Sequence, residues 1–124
     1  MAGWKFTSDA PIYLQIVEKM KQRIVSGLYD SGEQLPTVRE LAAEAGVNPN
    51  TVQRAFAELE GTGLVHSNRT SGRFITEDKS LIDELKTTFA KAEVDIFFGK
   101  MTMLGFEKDE IVRIIENYKE EKHE

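Results

Sequence analysis

Asn48, Asn50, Thr51, Gln53 and Arg54 set amide, hydroxyl and guanidinium groups close together in one short stretch. At the start of a helix, such groups match the edges of DNA bases. Asn or Gln can bond adenine, and Arg can bond guanine. Asn48 is also a good helix N-cap, which is its main role, and Gln53 and Arg54 equally suit a solvated helix face. Which of these residues reads bases is open at this level. Upstream, Thr37 and Arg39 stand at the start of another candidate helix. A cation there opposes the helix dipole, and either a DNA contact or a surface ion pair with a nearby Glu would account for it. Downstream, Arg69, Thr70, Ser71, Gly72 and Arg73 form a polar, glycine-containing run. Arginines in such a run can enter a narrow minor groove, while the alternative is a plain polar turn.

Other chemistries find little to work with. The chain has no cysteine, and its two histidines, His66 and His123, are far apart. Thiolate metal sites, disulfides and a catalytic Cys are therefore excluded, and no His/Asp/Glu spacing suggests a metal. With no visible nucleophile, base pair or phosphate loop, we expect neither an enzyme nor a cofactor. No apolar run is long enough to span a membrane, and the absence of Cys fits a cytoplasmic protein. The net charge of −5 is adverse to nucleic acid as a total, but it is unevenly spread. Residues 1–76 hold eight basic and eight acidic side chains, whereas 77–124 hold eight and thirteen. From Gly61 to Thr76 there is no acidic residue. Such a local field favours phosphate whatever the total.

The elements that must carry these groups can be read from periodicity. Asp9-Ala10-Pro11 opens a first helix in which Tyr13, Ile16, Val17, Met20 and Ile24 recur at helical spacing. A turn-rich connector covers 28–35. Thr37 and Glu40 have capping-box spacing at the start of a second helix, which ends at Gly46. Asn48-Pro49 opens a third helix, with Val52, Ala55, Phe56 and Leu59 as its buried stripe. Ala42 permits close helix crossing, Gly46 a positive-φ turn, and Val52 locks the pair together. Two short β-prone runs then flank the polar turn. Helix, helix, helix, hairpin is the order of a winged helix-turn-helix.

Beyond Glu77 the pattern is helical again. Ile82, Leu85, Phe89, Ile96, Phe97, Met101 and Leu104 fall on two adjacent stripes, and Ile111, Ile114, Ile115 and Tyr118 mark a last helix. These stripes are expected to form a dimer interface, packing against the first domain being the other reading.

The runs P-I-Y-L-Q-I at 11–16, G-E-Q-L-P-T-V-R-E-L-A at 32–42, V-N-P-N-T-V-Q-R-A at 47–55 and E-L-E-G-T-G-L-V at 58–65 resemble the GntR family of bacterial regulators. The V-N-P-N-T-V form and the short tail resemble its YtrA-like subfamily. The resemblance implies DNA contacts from Arg39, the first residues of the recognition helix and the wing tip, with a dimerising helical tail. It implies a repressor. Asn48-Pro49 and Gln53 stand where many members carry Ser-Arg and another Arg, and Thr70 and Arg73 depart from the usual wing.

The expectation is therefore a mainly α protein with a small β wing. A winged helix-turn-helix would occupy 1–76 and a two-helix dimerisation tail 77–124. Its function would be to bind an inverted-repeat double-stranded operator as a homodimer in the cytoplasm, with no membrane and no small-molecule effector indicated. The alternative is a winged-helix protein–protein interaction module without DNA binding.

Overall fold

The structure is a computed structural model that describes residues 3–68 and 70–121. Helix α1 spans Ile12–Val25, α2 Val38–Ala45 and α3 Pro49–Thr62; strands β1 Val65–Asn68 and β2 Gly72–Ile75 follow, then helices α4 Lys79–Met103 and α5 Lys108–Glu116. This is the mainly helical fold with a two-stranded wing that the sequence predicts.

The core of the first unit forms because three amphipathic helices bury their apolar stripes together. Ile16, Val17, Met20 and Ile24 of α1, Leu41 and Ala42 of α2, and Val52, Ala55, Phe56 and Leu59 of α3 are all buried. Leu64, Val65 and Ile75 close the cluster from the hairpin side. The hairpin is antiparallel, with Val65 opposite Ile75, His66 opposite Phe74, Ser67 opposite Arg73 and Asn68 opposite Gly72.

The segment 32–35, read from sequence as a connector, lies along β2. Leu35 N–H donates to the Arg73 carbonyl and Ile75 N–H to the Glu33 carbonyl, each at 2.8 Å. Gln34 Nε2 donates to the Ser71 carbonyl, bracing the wing from its side. No apolar alternation announces this pairing, because it depends on backbone groups alone.

The compact first unit runs through Lys86, and a second begins at Thr87. The boundary therefore lies beyond the 76/77 division expected from the sequence. The reason is packing: Leu81, Ile82 and Leu85, in the first turns of α4, lie against the winged-helix core. Ile82 and Leu85 were expected in the dimer stripe and are instead half-buried inside the first unit. In the second unit Phe89 and Met101 are half-buried and Ile111 is 1% exposed. Ile96, Phe97, Leu104, Ile114, Ile115 and Tyr118 are exposed. Tyr118 lies just past α5, which ends at Glu116.

Residues 3–6 form a strap over the end of α2. Trp4 N–H donates to the Ala45 carbonyl at 3.1 Å, and Trp4 Nε1 donates to Glu44 Oε2 at 3.0 Å. Arg23 of α1 donates to the same carboxylate and to Tyr29 Oη, and its guanidinium lies 4.8 Å from the Trp4 ring centre. Gly3 is needed because a Cβ there would come within 2.5 Å of the Ala45 carbonyl oxygen. The Arg23 guanidinium, with a smaller contribution from the Trp4 indole, holds the Glu44 carboxyl below its usual range against an opposing burial effect.

A carboxylate with a depressed folded pKa stabilises the fold above its unfolded pKa, and that stability is lost as pH falls through the folded value. At neutral pH the native protein should therefore unfold at higher urea than Glu44→Gln. The gap should begin to close below about pH 4.3, the ordinary glutamate value, and vanish beneath Glu44's depressed pKa. Urea midpoints for the two proteins at a series of pH values check this; a gap constant with pH would disprove the charge contribution.

Candidate nucleic-acid interface

Two helix starts build the site. At the start of α2 a capping box forms: Glu40 N–H donates to Thr37 Oγ1 at 3.1 Å, and Thr37 N–H donates to Glu40 Oε1 at 2.8 Å. Thr37 is thus occupied in capping the start of the helix. Alpha-2 stops at Gly46, whose φ of 74° is left-handed and whose N–H donates to the Ala42 carbonyl at 2.8 Å. A non-glycine residue in that region costs about 1–2 kcal/mol. This turn brings α3 back beside α2. Arg39 and Pro49 consequently line one shallow depression with Ala42, Ala43 and Val47.

Arg39 is exposed and makes no ion pair or hydrogen bond among the described residues. The ion-pair reading fails because both neighbouring glutamates are committed, Glu40 to its capping box and Glu44 to Arg23 and Trp4. A cation left unpaired at a helix N-terminus is available to an external anion.

Alpha-3 sorts the polar residues of its first turns. Asn48 Oδ1 accepts from the Asn50 N–H at 2.8 Å, so Asn48 is the N-cap, with Pro49 following at the first helical position. Thr51 is half-buried, whereas Asn50, Gln53 and Arg54 are exposed. The Arg54 guanidinium is drawn back onto α1, with its Cζ 3.9 Å from the ring centre of Tyr13. A guanidinium over an aromatic face contributes about 0.5–1 kcal/mol at an exposed site.

On the wing, Thr70, Ser71 and Gly72 are exposed. Asn68 Oδ1 accepts from Thr70 N–H at 3.1 Å and from its hydroxyl at 3.2 Å, shaping the turn. Arg69 lies outside the described residues. Arg73 departs from its expected place on an exposed flank. Its side chain is 21% exposed, lies with Cζ 5.1 Å from the Phe56 ring centre, and faces Glu60 at 3.5 Å. That distance is an ion contact, and Nε has no hydrogen-bond partner. Position 73 pairs with Ser67 in the ladder, which turns its side chain towards α3. The sequence shows only that Arg73 follows a glycine turn; the side it takes depends on register.

Residues 12–75 match the family model described as bacterial regulatory proteins, gntR family. The chain belongs to the GntR family. This GntR regulator is 39% identical over 116 residues to the uncharacterized HTH-type transcriptional regulator YhcF of Bacillus subtilis, covering 94% of this chain and 96% of that one. It is 38% identical over 108 residues to the HTH-type transcriptional repressor YtrA of the same organism, covering 87% of this chain and 71% of that one. A solved GntR family transcriptional regulator from Listeria monocytogenes superposes with a TM-score of 0.81 at 40% identity, covering 92% of this chain and all of that one (100%). The DNA-binding domain of AraR, solved in complex with operator ORX1, matches with a TM-score of 0.53 at 28% identity, over 61% of this chain and 92% of that one. The chain is thus a transcriptional regulator with a winged helix-turn-helix DNA-binding domain, and the family is one of regulators rather than enzymes. No helix among the described residues is long and apolar enough to cross a membrane.

Sequence reading missed the side chains Trp4, Arg23, Glu44 and Gln34 that hold this GntR regulator's site from behind, and the contact by which Tyr13, read as part of the α1 stripe, holds Arg54. The single Trp, alternating with Phe6 in W-K-F, was the available signal for the strap. Arg23, Glu44, Gln34 and Tyr13 carried none, because their partners are distant in the chain.

Arg73→Ala should lower stability by about 0.5–2 kcal/mol, through loss of packing on Phe56 and of the Glu60 contact. Thermal melting checks it; an unchanged melting temperature would return Arg73 to the free surface.

Proposed function

We propose that this GntR regulator is a repressor that binds an inverted-repeat operator as a homodimer in the cytoplasm. Arg39, Asn50 and Gln53 at the start of α3, and Thr70 to Gly72 of the wing form its DNA-contacting surface. The observation that carries the contact surface is the unpaired Arg39 beside the start of α3. Repression is supported by the likeness to YtrA, whose name describes a repressor, and operator binding by the likeness to the AraR domain crystallised on its operator.

Dimerisation by the second unit is supported by its surface. Ile96 is 52% exposed, Leu104 71% and Ile115 48%, and no residue of α4 is buried. So many exposed large apolar side chains on one small unit suit an interaction site. A second copy suits it because two half-sites engaged together gain the advantage of an effectively intramolecular second contact. The division of labour is then a DNA-binding unit through Lys86 and a dimerising unit from Thr87.

Two outcomes are expected. Arg39→Ala should weaken binding to a site selected from random duplex DNA by about 1–3 kcal/mol if Arg39 bonds a base. A phosphate contact would instead give an equal loss on specific and random DNA, with a shallower salt slope. Titrations at several salt concentrations measure both, and unaltered affinity throughout would remove Arg39 from the surface. Second, the intact protein should sediment as a dimer at micromolar concentration. The double substitution Ile96→Glu with Leu104→Glu should give a folded monomer whose full-site affinity drops by roughly a hundredfold. A native monomer, or a double variant that binds as tightly as the parent, would refute the dimer.

A further inference from the structure

Resting on the reading of α3 as the recognition helix, we infer that Gln53 is the specificity-determining residue of this regulator. With Asn50 beside it, Gln53 selects an A·T pair in each half-site.

Asn48 spends its side-chain oxygen on the Asn50 backbone N–H. Pro49 has no donor. Thr51 is half-buried. Arg54, the one cation on this helix, is stacked on Tyr13 at 3.9 Å and so drawn back towards α1. Asn50 and Gln53 remain. Both are exposed, and neither side chain has a hydrogen-bond partner among the described residues. They are three residues apart on a helix, which places them on one face.

Further along, that outward surface offers little. Ala57 has no polar group, Gly61 has no side chain, and Glu58 is an exposed anion. An anion there repels phosphate, so the reading surface is confined to the first two turns. What those turns present is amide, whose carbonyl and NH2 fit the N6 and N7 of adenine as a pair. Guanine is most often read by a bidentate cation; the only one on α3 is held on Tyr13, and the free Arg39 stands on α2, not on the face shared by Asn50 and Gln53. The depression beside Pro49 adds the exposed Ala43 and the half-buried Val47, apolar groups of the kind that contact a thymine methyl.

The test uses the full-length protein and a randomised duplex library, with bound sites selected for the native protein, Gln53→Ala, Gln53→Arg and Arg54→Ala. Melting curves confirm that each variant is folded. The native protein should enrich an A·T pair at one fixed position of each half-site. Gln53→Ala should lose the preference at that position alone, with a fall of about 5- to 150-fold on the selected site. Gln53→Arg should convert the same position to G·C. Arg54→Ala should leave every base preference in place. A native motif that survives both Gln53 substitutions, or one that Arg54→Ala relaxes, would overturn this assignment while leaving DNA binding intact. A native protein that enriches no sequence would overturn the recognition-helix reading and this inference with it.

Discussion

Val52, Ala55, Phe56 and Leu59 fall on one face of α3 and have no solvent exposure, 0% in each case. The helix they belong to touches α1, α2 and β1. Truncating such a residue costs about 3–5 kcal/mol for Phe and 2–5 kcal/mol for Leu, a large part of a small domain's stability. Rotation of α3 is therefore blocked, since any rotation would expose this stripe. The same constraint turns Asn50 and Gln53 outwards. What the helix presents to a partner is thus decided by what it must hide.

Around that fixed helix, the neighbouring pieces are tied down by polar contacts. The strap from Gly3 to Phe6 closes over the end of α2 through Trp4, Glu44 and Arg23. The 32–35 segment holds β2 through backbone hydrogen bonds, and Gln34 holds the wing tip. Each contact is worth little alone at an exposed site. Together they fix the end of α2 and the wing beside α3, as the proposed three-part contact surface would require, since such a site must be held to fractions of an ångström.

Four glutamates of the first unit are engaged in the same way. Glu33 accepts from the Asp30 N–H, Glu40 caps α2, Glu44 binds Arg23 and Trp4, and Glu60 faces Arg73. These four carboxylates are engaged locally, so none of them pairs with Arg39, which is left free. A chain of net charge −5 can in this way present a locally favourable surface to phosphate.

Much of this was legible in the sequence because it is encoded by local rules. The Thr37–Glu40 box, the Asn48 cap, Pro49 and Gly46 act within a few residues of themselves, and the structure has each in its expected role. The 3.6-residue stripe of α3 and the hairpin could be read for the same reason. Three features could not. Ile82 and Leu85 continue the tail's periodicity, yet pack on the first unit, because a helical stripe does not say where along its length the partner changes. Arg73 and Arg54 look like free cations in sequence, but Phe56, Glu60 and Tyr13, brought near by the fold, claim them. The strap shows in sequence only as the W-K-F run, and its partner Glu44 cannot be read there because the two are joined only by tertiary packing. Sequence by itself determined where helices start and stop and which faces are apolar, since those depend on neighbours in the chain. Only the tertiary structure decided which polar side chains are already partnered and which are still available, since that depends on neighbours in space.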